Sequence, residues 1–141
     1  MKMTIRPFTP ADESAVIGLW ERAGLTRSWN DPAKDIARKM QVQAEWFLVG
    51  EREGEVMASA MVGYDGHRGW INYLAVDPEH QRGGFGRAMM AEAERLLREA
   101  GCPKINLQIR SDNREAIAFY ERIGFGEDAV RSFGKRLIAD E

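Results

Sequence analysis

One cysteine, Cys102, two histidines and no long apolar run set the first limits on this 141-residue chain. A lone thiol cannot close an internal disulfide, and without a CxxC partner or a histidine at ligand spacing it offers no zinc site, so Cys102 reads as a packed or loop thiol and no metal is expected. A membrane-crossing helix needs roughly 18 uninterrupted apolar residues, which the sequence nowhere supplies. The opening "MKMTIRPF" is too polar for a secretory signal, so a cytoplasmic protein away from membranes is expected. A basic excess is lacking as well: 20 Lys and Arg stand against 22 Asp and Glu, a formal charge of −2. That removes the electrostatic footprint of a nucleic-acid binder. No linker, repeat or low-complexity tract divides the chain, so residues 1–141 are expected to form a single domain. What remains, 44% hydrophobic and 30% charged, is an ordinary globular composition. A chain of this length buries about two-thirds of its unfolded surface without metals or disulfides.

The hydrophobic periods give an α/β pattern. "MTIRPF" alternates as a strand, and "TPADESAVIGLWERAG" follows as a helix with Thr9 as cap, Pro10 at its first position and Gly24 at its end. "NDPAKDIARKM" predicts a shorter helix capped by Asn30 or Asp31, with Ile36 and Met40 four apart. "EWFLVGE" and "VMASAMVGY" joined by "REGE" form a hairpin, and the turn "YDGHRG" feeds the strand "WINYLAV". "FGRAMMAEAERLLREAG" places Met89, Ala93, Leu96 and Leu97 on one helical face and stops at Gly101. "KINLQIR" is a strand, "DNREAIAFYERIGF" a helix capped by Asp112 or Asn113 and closed by Gly124, and "GEDAVRSF" with "GKRLI" a last pair of strands. The expected order is βααβββαβαββ, a mixed, largely antiparallel sheet of six to seven strands with helices on both faces. Trp20, Trp46 and Trp70 and the methionines at 57, 61, 89 and 90 read as core or sheet-face residues, and the charges of "ERLLRE" as a solvated helix face.

The stretch "HQRGGFGRAMM" concentrates glycine where a helix must begin. The first amides of a helix lack intrahelical partners and carry partial positive charge, so an anion is the natural guest. Glycines at 83, 84 and 86 remove the Cβ atoms that would hold a phosphate off the backbone, and Arg82 and Arg87 add charge at the rim. The spacing fits neither a P-loop nor a dinucleotide fingerprint. A purely structural tight turn is the competing reading.

"LAVDPEHQRGGFGRAMM" resembles the acetyl-CoA-binding segment of the GCN5-related N-acetyltransferases, whose Q/R-x-x-G-x-G/A pattern is met by Gln81, Gly84 and Gly86. "NREAIAFYERIGF" is similar to that family's second segment, with Asn113, Ala116, Tyr120, Gly124 and Phe125 at the matching positions. "WNDPAKDIARKM", "GYDGHRGW" and "GKRLI" further resemble the small YpeA-type bacterial branch, so the likeness spans the chain.

The resemblance implies acetyl-CoA as co-substrate, its pyrophosphate on the amides of Gln81, Arg82, Gly83, Gly84, Phe85 and Gly86, with Arg87 beside them. It implies the pantetheine arm beside Leu74, Ala75 and Val76, an amide of Leu74 or Ala75 facing the thioester carbonyl, and Tyr120 near the sulfur as general acid. A helix aromatic packed on the sheet is the other reading of Tyr120. Asn113 is a helix cap, a cofactor contact, or both. For the base, Asp65, His67, Asp77, Glu79 and a water chain all stand open. The acceptor, a small-molecule, peptide or protein amine, is expected between "LTRSWNDP" and "YDGHRG", where Arg27 and Trp29 are candidate contacts and Trp29 is equally a packing residue. The expected activity is N-acetyl transfer by direct attack in a ternary complex, by a monomer or homodimer. A non-catalytic acyl-CoA-binding sensor or partner module of the same fold is the alternative, and a phosphate- or nucleotide-binding protein the more distant rival.

Overall fold

The computed structural model describes residues 2–141. Its elements are β1 (Thr4–Pro7), α1 (Glu13–Arg22), α2 (Pro32–Lys39), β2 (Phe47–Arg52), β3 (Glu55–Tyr64), β4 (Gly69–Val76), α3 (Phe85–Glu99), β5 (Ile105–Leu107) and α4 (Arg114–Arg122). Local chemistry sets most of these boundaries. The Thr9 amide donates to Asp12 Oδ2 at 2.8 Å, opening a 3-10 turn at Pro10–Asp12 that runs into α1. Asp31 Oδ1 accepts from the Ala33 amide at 2.9 Å ahead of α2, and Asn113 Oδ1 from the Ala116 amide at 3.1 Å ahead of α4. Each of these caps satisfies an amide that the first turn leaves unpartnered. The β2–β3 hairpin turns on Glu53 and Gly54, whose φ of +54° and +80° are the left-handed pair a two-residue turn requires.

The five strands lie in the order β1-β2-β3-β4-β5. The first four pair antiparallel, and β4 and β5 pair parallel from Gly69↔Ile105 to Ile71↔Leu107. One face packs on α1 and α2, where Val16, Leu19, Trp20 and Ile36 meet Phe47, Val49, Met61 and Ala75. The other packs on α3, where Met89, Met90, Ala93 and Leu97 meet Leu48, Ala58, Ala60, Val62 and Ile71. Each large apolar side chain buried this way contributes about 1.5–3 kcal/mol relative to exposure, so the two layers hold the sheet rigid between the helices.

The α/β class, the mixed sheet and the helices on both faces are as the sequence predicts. The last two strands are not formed: residues 126–141 contain no strand, leaving five strands instead of six or seven. Alternation makes a segment able to pair but cannot supply a partner edge, and a two-stranded hairpin is marginal by itself. Of the residues expected in the core or on a sheet face, Trp20 and the four methionines are buried and Trp70 lies on the sheet face, 37% exposed.

Candidate active site

The site begins with an irregularity in β4. Across the β3–β4 ladder Ser59 faces Ala75 and Met61 faces Asn72, so Tyr73 and Leu74 together oppose Ala60 alone. This bulge leaves ladder groups of β4 unpaired and re-aims its backbone. Tyr73 takes φ +53°, a left-handed conformation that a bulky residue adopts only under constraint. The constraint is a buried relay: Trp20 Nε1 donates to Ser59 Oγ at 2.9 Å, and Ser59 Oγ donates to the Tyr73 carbonyl at 2.8 Å. The Tyr73 ring stacks on Trp20 with centroids 3.8 Å apart, and its hydroxyl donates to Asp35 Oδ2 at 2.7 Å. Burial, and then the Asp35 carboxylate, push the Tyr73 phenol well above its usual range.

Because β5 stops pairing at Ile71↔Leu107 while β4 runs on to Val76, the β4 edge from Asn72 to Val76 has no neighbouring strand. The open edge leads directly to the glycine turn. Asp77 holds that turn: Oδ1 accepts from the Glu79 amide at 3.1 Å and Oδ2 accepts from Arg22 Nη2 at 2.7 Å. Burial pushes the Asp77 carboxyl up, but the Glu79 amide and the Arg22 guanidinium outweigh it and leave it below the usual carboxylate range. Arg82 and Gly84 take φ of +71° and +80°. The amides of Gly83, Gly84, Phe85, Gly86 and Arg87 find no acceptor among the described residues, and the first return bond is Ala88 N–H to Gly84 O at 3.0 Å. A Cβ on Gly86 would stand 3.3 Å from Phe119 Cζ and 3.6 Å from Val76 Cγ2. That close approach brings the turn, the end of β4 and α4 together, and the exposed amides of a 15-residue helix fit a pyrophosphate.

Tyr120 lies on α4 next to Phe119. Its ring meets Phe119 and Phe125 edge-on with centroids 5.1 and 5.6 Å away, and among the described residues no group hydrogen-bonds its hydroxyl. Burial pushes the phenol up to about 12, so it stays protonated at neutral pH. Asn113 caps α4 through Oδ1, which leaves its side-chain amide nitrogen without a partner among the described residues.

Two of the carboxylates considered as bases, Asp65 and Asp77, have structural duties. Asp65 Oδ1 accepts from the His67 and Arg68 amides at 2.8 and 2.7 Å, and Oδ2 accepts from Trp70 Nε1 at 3.3 Å. The Arg68 and His67 amides hold its carboxyl below the usual range. Asp65 is a turn residue, and Asp77 a strut for the glycine turn. Arg27 is spent on its own loop, donating to the carbonyls of Gly24 and Thr26 at 2.8 Å each. Trp29 is 52% exposed and lies under the Arg110 guanidinium at 5.6 Å, so the α1–α2 segment touches the chain just past β5. Sequence reasoning missed Tyr73, Ser59 and Asp35. The one available signal was a serine in the middle of the apolar "VMASAMV", a buried hydroxyl that needs a partner.

An open strand edge, a bulged central strand and a glycine turn at a helix start together suit an extended ligand with an anionic end. The sequence profile of the acetyltransferase (GNAT) family matches residues 15–125. The curated acetyltransferase SG1711 of Sodalis glossinidius is 47% identical over 140 residues, covering 99% of both chains. The solved structure of Ard1 from Thermoplasma volcanium superimposes with a TM-score of 0.82 at 32% identity, over 92% of this chain and 86% of that one. The ribosomal-protein-S18-alanine N-acetyltransferase of Escherichia coli gives 0.75 at 28% identity, over 90% and 79%. The chain belongs to the GNAT acetyltransferase family.

Proposed function

We propose that residues 1–141 form one N-acetyltransferase domain, working in the cytoplasm, that passes the acetyl group of acetyl-CoA to a primary amine by direct attack in a ternary complex. The observation that carries this reading is the open, bulged edge of β4 running into the unpartnered amides of Gly83 to Arg87, with Gly86 held against Val76 and Phe119. In this reading Gln81 to Gly86 hold the pyrophosphate, with Arg82 and Arg87 adding charge, and Leu74, Ala75 and Val76 flank the pantetheine arm. Asn113 offers its free amide nitrogen to the same ligand. An amide freed by the bulge, that of Leu74 or Ala75, faces the thioester carbonyl as negative charge develops there; one such donor is worth about 3 kcal/mol. Tyr120 gives its proton to the departing sulfur. A phenol near 12 is a weak acid toward a thiolate of reference pKa about 8.5, but the same dry surroundings raise the thiol as well and narrow the mismatch.

The amine must arrive neutral. Asp65 and Asp77 are committed to their structural partners, and of the routes that stay open, His67, Glu79 and water, the reading takes water as the proton's way out. This favours acceptors that shed it readily: an α-amine of pKa about 7.7–8.0 is roughly one-tenth neutral at pH 7, whereas a lysine amine near 10.4 is neutral in only about one molecule in a few thousand. The S18-alanine specificity of the E. coli relative supports a peptide N-terminus as the first acceptor to try. Calorimetric titration with acetyl-CoA, followed by CoA release with a free peptide, the same peptide blocked at its N-terminus and an aminoglycoside, tests both parts. No binding at millimolar acetyl-CoA would refute the reading outright, and binding without turnover on any amine would leave an acyl-CoA-binding module.

A further inference from the structure

Arg52 closes β2, two strands away from β4 in the sheet, yet its side chain ends at the glycine turn. Its Cζ stands 5.5 Å from the centroid of the ring of Phe85, the first residue of α3. Nε is buried there and has no hydrogen-bond partner among the described residues. No carboxylate among the described residues pairs with this guanidinium either: Glu51 beside it is taken by Arg6 at 3.0 Å, and Asp77 by Arg22 at 2.7 Å. A partly buried cation without a counter-charge is costly, and a bound anion offsets that cost. The turn is shaped around the same ring. A Cβ on Gly83 would stand 2.6 Å from Phe85 Cε2, closer than side-chain carbons come, and the His80 ring meets Phe85 nearly at right angles with centroids 6.4 Å apart. Gly83 fills an unspecified position of the pattern met by Gln81, Gly84 and Gly86. The seating of Phe85 is the reason it is glycine.

We infer that Arg52 binds the 3′-phosphate of CoA, the one phosphate of that ligand outside its pyrophosphate, and so lets the protein tell CoA from 3′-dephospho-CoA. The inference rests on the acetyl-CoA reading above. The amides of Gly83 to Arg87 and the side chains of Arg82 and Arg87 all belong to the turn and the helix start, and together they answer a pyrophosphate. Arg52 comes from another strand and stops against the flank of the turn, where it meets a charge lying beside the pyrophosphate rather than within it. A phosphate monoester carries about −1.5 to −2 charges near pH 7. It accepts from two nitrogens of a guanidinium at once, a pairing that the point charge of a lysine does not reproduce. The Phe85 ring holds the planar group in place beforehand, so less side-chain freedom is lost when the phosphate arrives. Arg52 is thus a residue that sets cofactor specificity, and Phe85 and Gly83 position it.

Calorimetric titration with CoA and with 3′-dephospho-CoA reads the preference without turnover. The unsubstituted chain should bind CoA at least about tenfold more tightly (1.4 kcal/mol). Arg52→Gln should weaken CoA about tenfold and leave 3′-dephospho-CoA within about twofold, so that the preference collapses. Arg52→Lys, which keeps the charge but not the fork, should fall between the two. Arg87→Gln should weaken both ligands alike. Equal affinity of the unsubstituted chain for the two ligands would overturn the inference. So would a loss shared by both ligands on Arg52→Gln, which would make Arg52 a prop for the turn acting through Phe85, or a preference that Arg87→Gln removes and Arg52→Gln spares. Binding of neither ligand by the unsubstituted chain would refute the acetyl-CoA reading itself and this inference with it. Should Arg52→Gln unfold, Arg52→Lys decides, and an undiminished preference in that variant would overturn the assignment.

Discussion

Ser59→Ala removes one oxygen from the protein and strands two polar groups. Ser59 is wholly buried, and its hydroxyl is the partner both of Trp20 Nε1 at 2.9 Å and of the Tyr73 carbonyl at 2.8 Å. Alanine fills nearly the same space, so the cavity contribution is small and the penalty is that of two unsatisfied groups, about 1–3 kcal/mol each. The expected loss is about 2–5 kcal/mol, or roughly 5–15 °C in Tm for a chain of this size. Urea unfolding with an unchanged slope would assign the change to the native state. Trp20→Phe removes in advance the donor of the two stranded groups, so in a double-mutant cycle the second substitution should cost less than the first. A catalytic effect should accompany the loss of stability. The left-handed Tyr73 is a strained residue whose carbonyl the relay holds, and releasing it loosens the bulge that aims the Leu74 and Ala75 amides. Under the proposed function those amides act on charge that exists only in the transition state, so kcat should fall while the affinity for acetyl-CoA changes little. A variant within about 0.5 kcal/mol of the unsubstituted protein, with unchanged kcat, would refute the reasoning.

Three further substitutions test other parts of the structure. Tyr120→Phe should lower the transfer rate by about 10²-fold, at the low end for general-acid loss, with cofactor affinity retained; an unchanged rate in stopped assays would leave Tyr120 as packing alone. Gly84→Ala forces an L side chain into φ +80°, a strain of about 1–2 kcal/mol in the turn, and should raise the acetyl-CoA dissociation constant roughly tenfold by calorimetry. Asp12, bonded by Arg6 Nη1 at 2.8 Å, has its carboxyl lowered from 3.8 to about 2, first by that guanidinium. A folded pKa below the unfolded one stabilises above pH 3.8 and loses that contribution as pH falls toward 2. Asp12→Asn should therefore cost up to about 2 kcal/mol at pH 7 and almost nothing near pH 2, read from unfolding midpoints across that range.

Features fixed within a few residues were legible in the sequence. The caps at Thr9, Asp31 and Asn113, the hairpin turn at Glu53–Gly54 and the glycine-rich helix start each depend on neighbours along the chain. Their side chains have little choice of partner. Features that depend on a distant surface were not legible. "GEDAVRSF" alternates well enough for a strand, but whether an edge lies within pairing distance is decided by where α4 delivers the chain. "WINYLAV" alternates too, and nothing in its period reveals that Tyr73 is an inserted residue, because a bulge shifts the pattern by one position within a stretch that is apolar on both sides. For Trp70 the sequence left core and sheet face open, and the structure takes the second. It lies on the face opposite Ile71, and no helix covers that part of the sheet.

The bulge also explains why the cleft opens where it does. Two residues of β4 facing one of β3 lengthen β4 locally and increase its twist, and they do so at Tyr73 and Leu74, two positions past the last residue that pairs with β5. A parallel partner keeps its bonds only while both strands twist together. β5 therefore follows β4 as far as Ile71 and parts from it as the bulge begins. The freed backbone of β4 and the gap beside it thus have one origin. That origin is held by Ser59 and Trp20, which lie in the core and touch neither opening. A mutation in the core can in this way alter an edge on the surface, and the residues that would be credited with binding are positioned by residues that bind nothing.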